Sequence, residues 1–182
     1  MKDFSELYVS GKGLPEYINR LGDNLIGCEL GVWTGENFAY LLQACTTTKV
    51  QYGIDPYQPY QDWNRMIDTS IIDNARHQAF TNMEESGQQS KVVFYQKTAN
   101  AALSDFENSA LDWIFVDGDH SYEHAIEDIT NYYSKVKSKG LFAGHDYSLP
   151  GVNKAVHEYR ELNNITEPLQ FCDNDVWFWY KN

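Results

Sequence analysis

The stretch Leu25-Ile-Gly-Cys-Glu-Leu-Gly-Val-Trp-Thr-Gly-Glu-Asn-Phe38 constrains the fold more than any other. A short apolar run ends at an acid, two glycines follow at 31 and 35, and a helical pattern begins with Phe38, Leu41, Leu42 and Cys45 on one face. The pattern predicts a strand, a tight glycine turn and a helix. Such a turn lets a ligand approach bare backbone, and the helix start offers free N–H groups. In an open α/β sheet, ligands bind beside turns of this kind, at the carboxyl ends of the strands.

The rest of the chain repeats the alternation. Residues 1–24 read as a helical lead-in, with Leu14, Tyr17, Ile18 and Leu21 on one face and Gly22 as its stop. Further strands are expected at Val50–Asp55, Lys91–Gln96, Leu111–Asp117 and Leu141–Asp146, with helices near Ser70–Ser86, Asn100–Phe106, Ser121–Gly140 and Val152–Leu162. Two closing strands, near Leu169–Cys172 and Val176–Tyr180, have no helix between them and should pair antiparallel. This order predicts one α/β domain over 1–182, a Rossmann-like doubly wound sheet of seven strands, mostly parallel with an antiparallel last strand. Pro56–Thr69, rich in Tyr, Pro, Trp and Gln, reads as a long surface loop, and Tyr57, Tyr60 and Trp63 in it, with Tyr147, are candidates for an acceptor pocket.

Composition excludes several partners. Fourteen Lys and Arg against 26 Asp and Glu give a net charge of −12, a field that repels nucleic acid. The one basic cluster, Lys135, Lys137 and Lys139, falls where a helix is expected to end, so it reads as complementing the helix dipole. No stretch reaches the ~20 apolar residues of a membrane span, and the first residues lack the shape of a signal peptide. Three scattered cysteines, Cys28, Cys45 and Cys172, fit buried thiols in a reducing cytoplasm better than a disulfide framework.

The chemistry concentrates in acids at the strand ends: Glu29, Asp55, Asp117 and Asp146. Brought to one sheet edge, they repel one another unless a cationic ligand, a metal ion or both sits between them. Asp55 follows Gly31 by 24 residues, the place of an acid that accepts from ribose hydroxyls. The turn reads E-x-G-x-x-x-G rather than the dinucleotide fingerprint G-x-G-x-x-G, which favours a nucleoside with a positive end over a diphosphate.

Four segments then carry a resemblance. Glu29-Leu-Gly-Val-Trp-Thr-Gly35, Ile54-Asp55, Ile114-Phe-Val-Asp-Gly-Asp-His-Ser-Tyr-Glu123 and Gly140-Leu-Phe-Ala-Gly-His-Asp-Tyr147 resemble, in order and spacing, the motifs of class I S-adenosylmethionine-dependent methyltransferases. They are similar to the catechol and caffeoyl-CoA O-methyltransferase branch and, more closely, to small bacterial macrocin-type sugar O-methyltransferases. The resemblance implies that the turn from Gly31 through Trp33 to Gly35 holds the methionine part of S-adenosylmethionine, with Glu29 near it. It implies that Asp55 binds the ribose, that Thr98 and Ala99 lie near adenine, and that Asp117 serves the cofactor side. It implies a divalent metal, magnesium or manganese, on Asp117, His145 and Asp146, although histidine is a poor magnesium ligand. His120 stands where the catechol branch carries a lysine base, and an imidazole suits proton removal from a hydroxyl. The implied reaction is methyl transfer to a small hydroxylated acceptor, a sugar or glycoside, by direct displacement. The rival readings are a metal-dependent hydrolase using Asp117, Asp119, His120, His145 and Asp146, and a non-catalytic nucleoside-cofactor-binding domain.

Overall fold

The computed structural model describes residues 1–62 and 65–182, and at 61, 62 and 65 the backbone alone. The chain runs α1 (Pro15–Ile18), β1 (Leu25–Leu30), α2 (Glu36–Ala44), β2 (Thr48–Ile54), β3 (Tyr60–Asp62), β4 (Arg65–Ile67), α3 (Thr69–Glu85), β5 (Val92–Tyr95), α4 (Ala99–Ala102), β6 (Leu111–Val116), α5 (Tyr122–Tyr133), β7 (Val136–Gly144), α6 (Pro150–Leu162), β8 (Gln170–Cys172) and β9 (Val176–Tyr180). The seven-stranded sheet has the order β5-β2-β1-β6-β7-β9-β8. Its first five members pair parallel, and β9 enters antiparallel between β7 and β8. The Rossmann-like expectation holds, including the antiparallel last strand.

Strand alternation divides the core between two faces. Ile114 and Val116 of β6, with Trp177 and Trp179 of β9, join Ala125, Ile129 and Tyr132 of α5 and Val152, Val156 and Tyr159 of α6. Trp113, Phe115, Val176 and Phe178 point the other way, onto α2 and the N-terminal segment that carries Phe4, Leu14 and Ile18. The contiguous aromatics Trp177, Phe178 and Trp179 are thus core on both faces, as a strand between two helical layers requires. A third cluster joins Phe38 and Leu42 of α2 to Ile72, Ala75, Ala79 and Met83 of α3. Asp68 caps α3 by accepting from the N–H groups of Ser70 and Ile71.

Four expectations change. The lead-in forms only one helical turn, Pro15–Ile18, because its apolar residues are anchors for an irregular segment laid on the sheet. The helix expected to run to Gly140 ends at Tyr133, and β7 begins at Val136. Gly140 is a strand position where an added Cβ would lie 2.7 Å from the carbonyl oxygen of Asp112, so it marks close approach of β6 rather than a helix stop. The lysine cluster therefore does not serve a helix dipole as a group: Lys137 bonds Asp112 at 2.7 Å and Lys135 donates to the carbonyl of Phe106 at 2.8 Å. Finally, the Pro56–Thr69 loop contains a hairpin, with Tyr60 opposite Ile67 and Gln61 opposite Met66. Trp63 lies outside the described residues.

Candidate active site

Backbone hydrogen bonds bring the strand ends to one edge. The N–H of Gly31 donates to Ile54, that of Asp117 to Leu30, that of His145 to Val116 and that of Asp55 to Tyr95. Each strand exit is thereby held against its neighbour, and the four acids foreseen in the sequence stand along this edge.

The glycine turn is built on two close approaches. Gly31 has φ of +82°, and a Cβ there would lie 2.1 Å from the Asp117 carbonyl oxygen. Gly35 has φ of +74°, and its Cβ would lie 2.8 Å from Cα of Ala79 in α3. The glycines are thus demanded by the protein's own backbone as much as by any ligand. Trp33, between them, takes a left-handed conformation with φ of +48° and leaves 39% of its surface exposed.

Asp55 fastens this turn. Its Oδ2 accepts from the N–H groups of Val32 and Trp33 at 3.0 and 2.9 Å, and Oδ1 from that of Tyr57 at 2.8 Å. Two lone pairs per oxygen leave one acceptor position, on Oδ1. Tyr57 is buried rather than open to an acceptor, and its hydroxyl donates to the carbonyl of Trp33 at 2.8 Å.

Glu29 is 1% exposed. Its Oε1 accepts from Nδ2 of Asn37 at 3.1 Å, whereas Oε2 is buried with no partner among the described residues. Burial lifts its carboxyl well above the usual range against the opposing Asn37 bond, and the charges of Asp117 and Asp55 add to the rise. Asn37 in turn accepts at Oδ1 from the N–H of Gly11 at 2.7 Å, and the Ser10 hydroxyl donates to Oδ2 of Asp117 at 2.8 Å. A segment from the lead-in therefore lies across the edge. Ser10, Gly11 and Asn37 were not foreseen; Ser10 is 107 residues from Asp117, and nothing local marks the pairing.

Two imidazoles complete the site. His120 Nε2 lies 2.9 Å from Oδ2 of Asp146, and His145 Nδ1 lies 3.1 Å from the same oxygen and 3.4 Å from Oδ1 of Asp117. The hydrogen bond to Asp146 raises the pKa of His120, burial opposes this, and the charges of Asp146, Asp117 and Asp119 add to the rise. Burial disfavours charge on His145, but its bonds to Asp117 and Asp146 outweigh that and lift it to about 10. Asp146 is held far below its ordinary value: burial works against this, and the bonds to His120 and His145 prevail. The His145 imidazolium is positive charge of the kind that the clustered acids require.

As a cation site, Asp117, His120 and Asp146 each present a ligand atom within 4.8 Å of the others. The convergent set thus contains His120, while His145, the expected third ligand, reaches both acids through Nδ1, and its buried Nε2 has no partner among the described residues. Two carboxylates with one imidazole fit a divalent ion of the manganese or zinc type better than magnesium. Thr98 caps α4 by accepting from the N–H of Ala101, and the Ala99 carbonyl accepts from the Tyr132 hydroxyl at 2.7 Å. Both stand beside the edge at the end of β5. Of the remaining histidines, His77 is exposed, His124 bonds the Ser121 hydroxyl and His157 that of Tyr147.

Comparison with known proteins decides the family. A family model described as "Methyltransferase domain" matches residues 28–147, from β1 through the His145-Asp146 pair. The chain belongs to this methyltransferase family. The resemblance to class I S-adenosylmethionine-dependent methyltransferases drawn from the four motifs therefore holds. Mycinamicin III 3''-O-methyltransferase of Micromonospora griseorubida is 30% identical over 67 residues, 37% of this chain and 26% of that enzyme. The chain thus matches about a quarter of that curated relative's length. Among solved structures, the O-methyltransferase NovP has 23% identity and a TM-score of 0.61, over 92% of this chain and 79% of its own. TomG from Streptomyces achromogenes, an O-methyltransferase solved in complex with SAM, has 13% identity and a TM-score of 0.68, over 94% and 79%. At these identities the two structures establish the methyltransferase fold. Among the described residues no helix is long and apolar enough to cross a membrane.

Proposed function

We propose that this methyltransferase moves the methyl group of S-adenosylmethionine to a hydroxyl of a small acceptor, a sugar or glycoside, in the cytoplasm. One observation carries the reading: the buried, unpartnered Oε2 of Glu29 at the foot of the glycine turn, beside Asp117. An orphaned acceptor in a dry site is costly until a donor arrives, and the ammonium of a methionine moiety is such a donor. The turn at Gly31, Trp33 and Gly35 would line the same moiety. Asp55 would offer the ribose the one acceptor position that its backbone bonds leave on Oδ1. Thr98 and Ala99 would flank adenine. The O-methyltransferase names of the curated relative and of NovP and TomG support the acceptor class.

S-adenosylmethionine supplies a methyl group on a sulfonium, already a good leaving group, so the chain's task is to aim and deprotonate the acceptor. His120 donates Nε2–H to Asp146, which leaves Nδ1 as the basic atom for the acceptor proton. Asp146 orients the ring and stabilises the imidazolium that forms. Asp117 and Asp146, the two carboxylates of the convergent set, would also hold a divalent cation while His120 is kept for the proton; the cation would supply positive charge to orient the hydroxyl and lower its pKa.

The test is methyl transfer to a panel of sugars, glycosides and catechols. His120→Ala should cut turnover by at least ~100-fold with cofactor affinity unchanged. The wild-type rate should rise with pH through an ionisation above that of a free imidazole, because Asp146 favours the protonated ring. Retention of wild-type turnover and pH profile by the variant would refute the base assignment, and full activity after exhaustive chelation would refute the cation.

A further inference from the structure

Asp128 is a partly buried carboxylate that the proposed reaction does not use. It lies 1.7 turns into α5, with no hydrogen bond or ion pair among the described residues. Its Oδ2 is the one atom within 4 Å of where a Cβ on Gly118 would stand, at an ordinary 3.4 Å, so the space over Gly118 is otherwise open. The helix sets its surroundings. One turn further on, Asn131 bonds Asn100 and Tyr132 bonds the Ala99 carbonyl. Residues three and four apart share a helix face, so Asp128 points the same way, one turn nearer the ligand-binding edge. It therefore stands between Gly118, after β6, and the start of α4. Thr98 and Asp119 on the two rims are exposed, so this trough opens to solvent.

We infer that Asp128 recognises the exocyclic amino group of the cofactor's adenine, with Gly118 as the bare floor beneath the ring. This rests on the S-adenosylmethionine reading and adds a base-recognition residue to it. A planar heterocycle fits a floor without a side chain, and the carboxylate oxygen would accept an N–H of the amino group. An unpaired carboxyl in a half-dry trough is otherwise unfavourable. Burial first, then the charges of Glu127 and Asp119 against that of His124, push it up to about 7, as befits a group awaiting a donor.

The experiment compares S-adenosylhomocysteine with S-inosylhomocysteine, whose base carries a carbonyl where adenine carries the amine, by titration calorimetry. Wild type should favour the adenosyl compound at least ~10-fold, the scale of one hydrogen bond to a charged group. Asp128→Ala should weaken the adenosyl compound by about that factor, leave the inosyl compound within about twofold and so erase the preference. Gly118→Val, which fills the floor, should weaken both. An Asp128→Ala protein that keeps the wild-type preference, or loses both ligands equally, overturns the inference. If wild type binds neither compound, the cofactor reading itself falls and this one with it.

Discussion

Replacing Asp55 by alanine tests whether the glycine turn is held by the protein or awaits its ligand. The carboxylate receives three backbone N–H bonds, from Val32, Trp33 and Tyr57, at 2.8 to 3.0 Å. Val32 and Tyr57 are 4% and 6% exposed, so water cannot readily replace the lost acceptor at either. A hydrogen bond to a charged group contributes ~1.5–3 kcal/mol. Three bonds to one side chain are not additive, and the turn can relax where Trp33 is exposed, so the loss should be about 3–5 kcal/mol. Urea denaturation with the ligand-free protein reads this directly, as a lower midpoint at unchanged slope. Asp55→Asn keeps one oxygen and should fall between the two. The ligand side follows from the same count: with one acceptor position left, removing one of the two ribose hydroxyls of S-adenosylhomocysteine should weaken binding and removing the other should not. An Asp55→Ala protein within ~1 kcal/mol of wild type would refute the turn-fastening argument.

Two further outcomes follow from the geometry. Gly31→Ala places a Cβ 2.1 Å from the Asp117 carbonyl oxygen at a φ of +82°, so it should destabilise by about 3 kcal/mol or more, whereas Gly118→Ala, with a 3.4 Å contact, should be nearly neutral in thermal melts. The imidazole–acid cluster sets a pH window. Asp146 lies below its unfolded value of 3.8 when folded, so its contribution is present above that pH and lost on acidification; His145 lies above its unfolded value of 6.5, so its contribution is full below that pH and lost as pH rises through about 10. Melting temperature should peak between those limits, and Asp146→Asn should flatten both limbs.

What the sequence made legible is what depends on local pattern. Strands β1, β6 and β9, the start of α5 at Ser121, and the strand-end acids all follow from runs and caps. Gly140 misled because glycine after a lysine-rich run reads as a helix stop, while its real cause is the Asp112 backbone, a tertiary fact. Tyr57 reads as a loop aromatic, yet its hydroxyl is needed at Trp33, 24 residues away. The same holds at the site. The acids and His120 were visible as residues, but the pairing of both imidazoles with Asp146 is set by the meeting of β6 and β7. Ser10 and Gly11 carried no signal, because an irregular lead-in has no periodicity to read.

The central claim is that the edge formed by Glu29, the glycine turn and Asp117 binds S-adenosylmethionine through its ammonium end. Titration calorimetry of the wild type and Glu29→Ala with S-adenosylhomocysteine tests this most directly. The account predicts saturable one-site binding to wild type, at least ~10-fold weaker binding to the variant, a folded variant that loses no more than the ~1–3 kcal/mol of the buried Asn37 bond to Oε1, and no binding of NAD to either. Absence of saturable heat with wild type, or equal affinity in the two proteins, would contradict it.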